Sequence, residues 1–411
     1  MKKFFALLLS LAMVLALVAC GQKETTTPDD TQTPDDTTPE VEYKVAMITD
    51  YGDITDQSFN QTTYEACKAF AEDNSIEFSY FKPAGDNTAD RVAMIEKAVN
   101  DGFNVIVMPG YAFGGAIVEA APEFPDVKFI ALDVAAGDLL ETAVAKAGEA
   151  YDYTPENWDL NKYVDMSNVY CAVYQEELCG YMAGYAAVKL GYKNLGFLGG
   201  MSVPAVVRYG YGFVQGVDAA AADLGLTDVK LNYIYGGQFF GDADITAVMD
   251  TWYQGGTEVV FACGGGIYTS AVDAAKKVNA KVIGVDVDQA GVIAKYAGVD
   301  GMTVTSAMKG LYPATYDTLT DVIVNGNWDK YVGKIATLGL VSGTDPEANY
   351  VQIPMGDGTQ WSDSFTQDDY KAMVKDMFDG KITVSNNTSS DVSAADFATV
   401  ITVDDQGSIK G

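Results

Sequence analysis

The sequence predicts an α/β protein whose body consists of two lobes, each built on a doubly wound parallel sheet. Short apolar runs rich in β-branched residues alternate with stretches of helical periodicity, as expected for parallel strands covered by helices on both faces. The alternation occurs in two series, separated by a polar insert at 135–165. Glycine or acidic residues follow the strands in both series, at the edge where such sheets bind ligands.

The first series contains four predicted strands with helices between them. The strand sequences YKVAMIT, IEFSYFK, VIVMP and VKFIALD begin at residues 43, 76, 105 and 127. Helical periodicity is present at 57–73, 89–100 and 116–121. Strands that alternate with helices in this way are typical of a parallel sheet.

The second series repeats this rhythm after the insert. Its strand sequences VYCAVY, LGFLGG, KLNYIYG, EVVFACGGG and AKVIGVDVD begin at residues 169, 195, 230, 258 and 280. The predicted helices lie at 176–190, 212–224, 243–254 and 269–277. Two series of this kind indicate two wound lobes rather than one very large sheet.

Residues that follow the strands are the first candidates for a ligand site, because loops and helix N-termini converge at that edge. They are Asp50, Gly110, Tyr111 and Asp133 in the first series, and Gly199, Gly200, Gly264, Gly265, Gly266, Asp286 and Asp288 in the second. Any one of them can be a helix cap. Their joint position in both series predicts a cleft between the lobes.

The stretch ITDYGDITDQSFNQ (48–61) places three carboxylates, Asp50, Asp53 and Asp56, directly behind the first strand. Their spacing does not match a calcium loop, which needs alternating ligands and a glycine at its sixth position, so we expect no metal here. Asp56 precedes the first helix and is interpreted as a cap or first-turn acid, and Asp53 as a cap of the same loop. Asp50 is the best candidate for a ligand contact.

Residues 1–42 predict export and attachment to a membrane. A basic start, MKK, precedes an apolar run that is too short for a confident spanning helix and ends in LVAC. The pattern resembles a bacterial lipoprotein signal, with 1–19 removed and Cys20 lipidated; an ordinary secretory signal with a chance cysteine is the alternative. The Thr/Pro/Asp-rich remainder of 20–42 predicts a disordered linker. We therefore expect a lipid-anchored protein on the extracytoplasmic face of the cell membrane.

Composition excludes several classes of function. The net charge of −31, from 26 basic and 57 acidic residues, argues against nucleic-acid binding. The chain has no histidine, which removes Ser-His-Asp and Cys-His nucleophile systems and His-bearing zinc sites. It also lacks the GxSxG, Walker A and GxGxxG patterns. We expect no catalytic residues, no metal and no cofactor.

Four cysteines follow Cys20, without a CxxC pair: Cys67, Cys171, Cys179 and Cys263. They are interpreted mainly as small buried apolar residues. A disulfide between Cys171 and Cys179 is compatible with an exported protein, but their spacing does not require it.

The block VAMITDYGDITDQSFNQTTYEA (45–66) is similar to the opening of the basic membrane protein family of ABC transporter substrate-binding lipoproteins. Further blocks follow in the order of that family: FIALDV, VYQEELCGYMAGYAAVKL, LGFLGGMSVPAVVRYGYGFVQGVDAA, VIGVDVDQ and VTSAMKG. The resemblance covers about residues 43–326 and, more loosely, the rest. The best understood members of that family bind purine nucleosides.

The resemblance implies a type I periplasmic-binding-protein fold, with two lobes joined by a three-segment hinge that closes around the ligand. In this interpretation the N-terminal lobe comprises 43–174 plus 290–328, and the C-terminal lobe 175–289 plus 329–411. The insert 135–165 and a Thr/Ser/Asp-rich stretch near the end of the chain have no assigned role.

The resemblance also implies the roles of individual residues. Asp50, Asn60 and Asp133 match positions that hold ribose hydroxyls, and Phe59 matches the aromatic residue that stacks on the base. Asp286 matches the carboxylate that accepts hydrogen bonds from the base edge, with Lys309 as its cationic partner. The aromatic residue on the opposite face of the base is open: Phe239, Phe240 and Tyr268 are available, and Phe240 is favoured. Arg208 either pairs with an acid across the cleft or lies free on its helix.

The leading interpretation is a monomeric solute-binding lipoprotein that carries out no chemistry. It binds a purine nucleoside and delivers it to a membrane permease driven by an ATPase. A signalling receptor or an adhesin on the same scaffold is the first alternative. An enzyme that acts on nucleosides through its carboxylates is a weaker one, given the missing histidine.

Overall fold

The structure, a computed structural model, describes residues 42–410. The predicted signal peptide, Cys20 and all but the last residue of the predicted linker lie outside the described residues. Strands run in chain order as β1 (Lys44–Ile48), β2 (Glu77–Phe81), β3 (Val105–Pro109), β4 (Lys128–Leu132), β5 (Val169–Tyr174), β6 (Asn194–Gly199), β7 (Lys230–Tyr235), β8 (Val259–Cys263), β9 (Lys281–Asp286), β10 (Thr303–Lys309), β11 (Lys334–Leu338), β12 (Val351–Gln352) and β13 (Thr402–Ser408).

The α-helices lie between these strands, as the alternating pattern predicts. They are α1 (Phe59–Asn74), α2 (Thr88–Asn100), α3 (Gly114–Ala120), α4 (Ala136–Lys146), α5 (Leu160–Tyr163), α6 (Glu176–Lys189), α7 (Pro204–Asp223), α8 (Ala243–Gln254), α9 (Tyr268–Val278), α10 (Ala290–Ala297), α11 (Leu311–Leu319) and α12 (Gln367–Phe378). The predicted polar insert thus contains two of its own helices, α4 and α5.

Two sheets define two lobes. The first has the strand order β11-β5-β4-β3-β1-β2 and is parallel throughout. The second has the order β12-β10-β9-β8-β6-β7-β13, in which only the short edge strand β12 is antiparallel to its neighbour. Every residue of β3 and of β8 is buried, which explains why these strands read as uninterrupted apolar runs.

The chain crosses between the lobes three times: after β5, after β10 and after β11. The crossing segments are bound to one another by backbone hydrogen bonds. Gln175 N donates to Leu338 O at 3.0 Å, Gly310 N to Tyr350 O at 2.7 Å, and Tyr350 N to Gly339 O at 3.0 Å. The three crossings therefore form one narrow bridge between the lobes.

The lobe boundaries differ from the predicted ones after residue 290. Strand β10 and helix α10, within the predicted first-lobe segment 290–328, belong to the second lobe, because β10 pairs with β9. Strand β11, within the predicted second-lobe segment 329–411, pairs with β5 in the first sheet. The segment that returns to the first lobe is α11 to β11, and α11 packs against α1.

Helices α6 and α7 pack unusually closely because glycines line their contact. An added Cβ at Gly212 would lie 2.1 Å from Glu177 O, and one at Gly216 would lie 2.1 Å from Tyr181 O. Gly212 and Gly216 of GYGFVQG (210–216) therefore serve helix packing, and Gly210 lies against Tyr233 and Phe197 of the sheet. Helix α7 also begins earlier than the predicted residue 212, because Pro204 occupies its first turn, where proline is well tolerated.

All four cysteines within 42–410 are buried and unpaired. Their interpretation as small apolar residues is confirmed, and Cys171 and Cys179 form no disulfide. No helix in the described range combines the length and apolarity needed to cross a bilayer.

Candidate functional site

A cavity of about 450 Å³ lies between the lobes at the carboxyl ends of their strands. Both lobes contribute to its lining, through the loops that follow β1, β3 and β4 in the first lobe and β7, β8 and β9 in the second. Seven of the eight residues predicted to bind a ligand line it: Asp50, Phe59, Asn60, Asp133, Phe240, Asp286 and Lys309. The strand-end pattern in the sequence therefore located the cleft.

Two of the strand-end carboxylates have an unusual backbone conformation. Asp133 follows β4 with φ 60°, and Asp286 ends β9 with φ 64°. Non-glycine residues seldom adopt positive φ, and such residues cluster at ligand sites, where the surrounding structure holds them in place. The turn at each strand end aims the carboxylate into the cavity.

The Asp50 side chain is held by its own loop. Its Oδ1 accepts hydrogen bonds from the backbone N of Tyr51 and of Gly52, both at 2.6 Å, and from Asn60 Nδ2 at 3.1 Å. Burial raises the pKa of Asp50 above its usual value, although these donors act in the opposite direction. Gly110, with φ 122°, faces this carboxylate, since a Cβ there would lie 3.4 Å from Asp50 Oδ2.

Lys309, at the end of β10, stands among three carboxylates and is 5% exposed. Its Nζ lies 2.5 Å from Asp133 Oδ2, 3.5 Å from Glu176 Oε1 and 3.7 Å from Asp286 Oδ1. Burial alone would lower the pKa of Lys309, but the carboxylates outweigh it and raise that pKa. The ammonium group therefore stays charged and joins Asp133 of the first lobe to the second lobe.

Arg208 pairs with Glu176 through an Nε–Oε2 distance of 2.7 Å. Neither of the two alternatives for Arg208 is found: it does not lie free on its helix, and its acidic partner, at the start of α6, belongs to the same lobe and does not lie across the cleft. Both of these basic side chains near the cavity are thus engaged with carboxylates, which leaves no free cation in this group to attract an anionic ligand.

Two buried acceptors at the cavity have no hydrogen-bond partner in the described structure: Asn60 Oδ1 and Asp133 Oδ1. An unsatisfied buried acceptor costs about 1–3 kcal/mol, so its presence calls for an explanation. A ligand that brings hydroxyl or amino donors to these two atoms would remove that cost. The lining is thus suited to a polar, uncharged molecule with several donors.

The aromatic residues of the cavity come from both lobes. Phe59 begins α1, and its ring centroid lies 4.6 Å from Lys309 Nζ. Phe239 and Phe240 both line the cavity from the loop after β7. Phe239 lies against glycines at the strand ends, since a Cβ at Gly200 would approach its ring to 2.4 Å. Phe240 is 54% exposed and free to meet a ligand.

Tyr268 does not line the cavity, contrary to the expectation from the sequence. It is 6% exposed and belongs to the apolar core of the second lobe, where its ring meets that of Tyr296 edge-on at 5.9 Å. Tyr268 is the first residue of α9, and the helix turns its side chain into this core.

The other acids of the opening stretch have structural roles. Asp56 caps α1, with Oδ1 accepting from Ser58 N and Oδ2 from Asn60 N, both at 2.9 Å. Asp53 accepts from Thr55 N at 3.2 Å and pairs with exposed Lys82 at 3.0 Å. Within the described range, no three His, Cys, Asp or Glu side chains are grouped so that they could hold a metal ion.

Sequence reasoning missed three residues of the site: Ser58, Glu176 and Tyr209. The Ser58 hydroxyl donates to Asp286 Oδ2 at 2.5 Å, across the cleft, and Tyr209 OH donates to Asp286 Oδ1 at 3.3 Å. A further cross-lobe bond joins Gln289 Nε2 to Gln57 O at 3.2 Å. Of these three residues, only Ser58 could have been suspected from the sequence, because it belongs to the SFNQ block. Its bond to Asp286 could not, since the two residues are 228 positions apart.

The fold is shared with solved ABC transporter solute-binding proteins. One from Aeropyrum pernix K1 superposes with a TM-score of 0.63 at 18% identity, covering 85% of this chain and 95% of that one. One from Conexibacter woesei gives 0.58 at 20% identity, covering 84% and 99%. Two wound lobes, three crossings and a cavity between the lobes define the type I periplasmic-binding-protein fold.

The family follows from the sequence comparison. The family model described as Bmp, ABC transporter substrate-binding protein PnrA-like, matches residues 43–346. The chain belongs to this family, and its expected resemblance is confirmed. The ABC transporter nucleoside-binding protein BmpA of Lactococcus lactis subsp. cremoris is 25% identical over 359 residues, 84% of this chain and 90% of that protein. Basic membrane protein B of Borreliella burgdorferi is 26% identical over 322 residues, 75% and 83%.

Proposed function

We propose that this ABC substrate-binding protein binds a purine nucleoside in the cavity between its lobes. The observation that carries the proposal is the pair of unpartnered buried acceptors, Asn60 Oδ1 and Asp133 Oδ1, on the same wall as the Asp50 carboxylate. Carboxylates that only accept suit a ligand rich in hydroxyl donors. A ribose offers such donors without any charge.

The base of the nucleoside lies between Phe59 of the first lobe and Phe240 of the second. Every base has a flat π-face, and stacking on an aromatic side chain contributes about 1–3 kcal/mol per base. Asp286 then accepts hydrogen bonds from the base edge, beside Lys309 and Tyr209. A purine meets both requirements, since it combines a large flat face with edge donors.

Phosphorylated ligands are disfavoured. Among the residues that the structure describes, the lining contains five acids, Asp50, Asp53, Asp56, Asp133 and Asp286, and one cation, Lys309, which already contacts carboxylates. A phosphate would therefore meet repulsion without a free basic partner. The proposed ligand is the neutral nucleoside and not the nucleotide.

Binding proceeds by closure of the lobes about the three crossing segments. A ligand that touches both lobes binds the closed state better than the open state, and so shifts the population toward closure. The direct bond between Ser58 of the first lobe and Asp286 of the second, at 2.5 Å, supports this proposal, because a bond across the cleft requires the lobes to lie close together. The closed surface would then be recognised by a membrane permease, which with its ATPase completes the importer.

Attachment to the membrane through lipidated Cys20 completes the proposal. Several relatives carry the word lipoprotein in their names, among them a protein of Pyrococcus abyssi. The linker 20–42 would let the body, as a monomer, reach the permease from its anchor on the extracytoplasmic face.

A thermal-shift panel on a protein comprising residues 43–411 tests the cargo. Inosine, guanosine and adenosine are expected to raise the melting temperature, because a ligand that binds only the folded state stabilises it. The corresponding 5′-monophosphates should do so weakly. If a sugar or an amino acid shifts the transition and no nucleoside does, the cargo proposal is wrong while the family assignment stands.

A further inference from the structure

The chain after residue 346 lies beyond the match to the Bmp family, yet it is built into the second lobe. Its strand β13 forms the edge of the second sheet, parallel to β7. Strand β7 leads directly into the loop 236–242, which brings Phe239 and Phe240 to the cavity. The C-terminal segment, which pairs with β7, therefore also lies next to the loop that carries Phe239 and Phe240.

Ahead of β13, the segment is fastened to helix α7. Asp218 accepts hydrogen bonds from the backbone N of Thr399 and of Val400, both at 2.8 Å, and from the Thr399 hydroxyl at 2.6 Å. Tyr211 OH donates to Val392 O at 2.8 Å. Charge-assisted bonds to backbone N–H groups are stronger than neutral ones, so this attachment fixes the register of the strand that follows.

After β13, the chain packs directly against the loop 236–242, which carries Phe239 and Phe240. Ile409 N donates to Tyr235 O at 2.8 Å. The backbone of Lys410 lies against Gly237, whose φ is 79°; a Cβ there would lie 2.8 Å from Lys410 O. Lys410 Nζ then donates to Gln238 Oε1 at 2.9 Å and pairs with Asp242.

Gln238 connects Lys410 to the backbone of Phe240 through hydrogen bonds. Its Nε2 donates to Phe240 O and to Asp242 Oδ2, each at 2.9 Å. Because the amide oxygen of Gln238 is taken by Lys410, its nitrogen is directed toward the backbone of Phe240. The half-exposed Phe240 ring has little core packing to hold it. Within the described structure its backbone is held from two sides, by a bridge to Gly266 and by this hydrogen bond from Gln238.

We propose that Lys410 is a positioning residue for the ligand site: through Gln238 it holds the loop 236–242 in the conformation that presents Phe240 to the ligand. The identity of the ligand in this proposal rests on the proposed function. The effect of Lys410 on the loop does not. A partly exposed ion pair of this kind contributes up to about 1 kcal/mol, which corresponds to about fivefold in affinity.

The test compares Lys410→Ala with Lys410→Arg, which keeps the cation, and with Lys381→Ala as a matched control. Lys381 lies in the same part of the chain, is exposed, and pairs with Asp376 at 2.6 Å, away from the loop. Hydrogen exchange is followed in the ligand-free proteins for the peptide 235–246, whose bonded amides include Gly236, Gly237 and Ile245. Inosine affinity is then measured by calorimetry.

Lys410→Ala is expected to speed exchange in 235–246 alone and to weaken inosine binding about fivefold, with Lys410→Arg restoring both and Lys381→Ala changing neither. Unchanged exchange in 235–246, or faster exchange throughout the second lobe, would overturn the proposal, as would faster local exchange with unaltered affinity. Gln238→Ala, which removes the relay itself, should reproduce the local effect. If the wild-type protein binds no nucleoside, the cargo proposal fails, and the exchange data still decide whether Lys410 holds the loop.

Discussion

Replacing Lys309 with methionine is expected to destabilise the protein by about 3–5 kcal/mol, the usual cost of leaving buried charge without its partner. The figure follows from the surroundings of the ammonium group. It is 5% exposed and lies within 3.7 Å of carboxylate oxygens from Asp133, Glu176 and Asp286. Methionine fills a similar volume, so the loss reports the charge and not a cavity. In the variant, Glu176 is the one of these three carboxylates that keeps a basic partner, Arg208.

The control is Lys82→Met. Lys82 pairs with Asp53 at 3.0 Å, but these side chains are 44% and 56% exposed, so the loss should be at most about 1 kcal/mol. Denaturant unfolding at pH 7 measures both variants. Equal losses for the two, or no loss for Lys309→Met, would refute the reasoning that a buried charge cluster holds the strand ends together.

The loss in Lys309→Met should also depend on pH. Burial raises the pKa of Asp286, and Lys309 opposes that shift, so removal of Lys309 raises it further. A carboxyl whose folded pKa exceeds its unfolded value stabilises the fold at low pH, and that contribution is lost as the pH rises through the folded pKa. The difference between wild type and variant should therefore shrink when the pH is lowered from 7 to 5.

Three further predictions concern other parts of the molecule. Burial raises the pKa of Glu177 from 4.5 to about 7, so its ionised form destabilises the fold above that pH. Glu177→Gln should therefore raise the melting temperature relative to wild type at pH 8 and leave it nearly unchanged at pH 4; a constant difference in melting temperature across that range would contradict the assignment. Phe240→Ala should weaken nucleoside binding by about 1–3 kcal/mol in a calorimetric titration without lowering the melting temperature of the free protein. Tyr268→Leu, which removes the ring but fills most of its volume, should leave the affinity unchanged; the reverse order of effects on affinity would show that Tyr268 is the aromatic residue that contacts the ligand. Gly212→Ala should destabilise the protein by about 1–3 kcal/mol, because its Cβ would lie 2.1 Å from Glu177 O. The control Gly291→Ala in α10, where nothing lies within 4 Å, should be neutral or stabilising; equal effects of the two variants in denaturant unfolding would argue against the tight α6–α7 contact.

Local sequence pattern was enough to predict much of the fold and the position of the cavity between the lobes. Buried parallel strands leave continuous apolar runs, so β3 and β8 were recognisable, and the residues that follow strands were correctly expected at a cleft. The capping role of Asp56 also followed from its place just before α1, and Asp50 at the strand end lines the cavity as expected.

What depends on distant pairing was not readable from the sequence. Strands β10 (TVTSAMK) and β11 (KIATL) both mix polar and apolar residues, and only their hydrogen-bonded neighbours assign them to different lobes. Tyr268 follows a glycine turn as a ligand residue would, yet the direction of α9 sends its ring into the core. The bond from Ser58 to Asp286 likewise exists only because the lobes meet.

The most direct test is a calorimetric titration of the 43–411 protein with inosine and with inosine 5′-monophosphate, for wild type and Asp133→Ala. Saturable binding of inosine, much weaker binding of the monophosphate, and loss of inosine affinity in the variant are the predicted results. Equal affinity of wild type and variant for inosine, or tighter binding of the monophosphate, would contradict a neutral nucleoside held at the strand-end carboxylates.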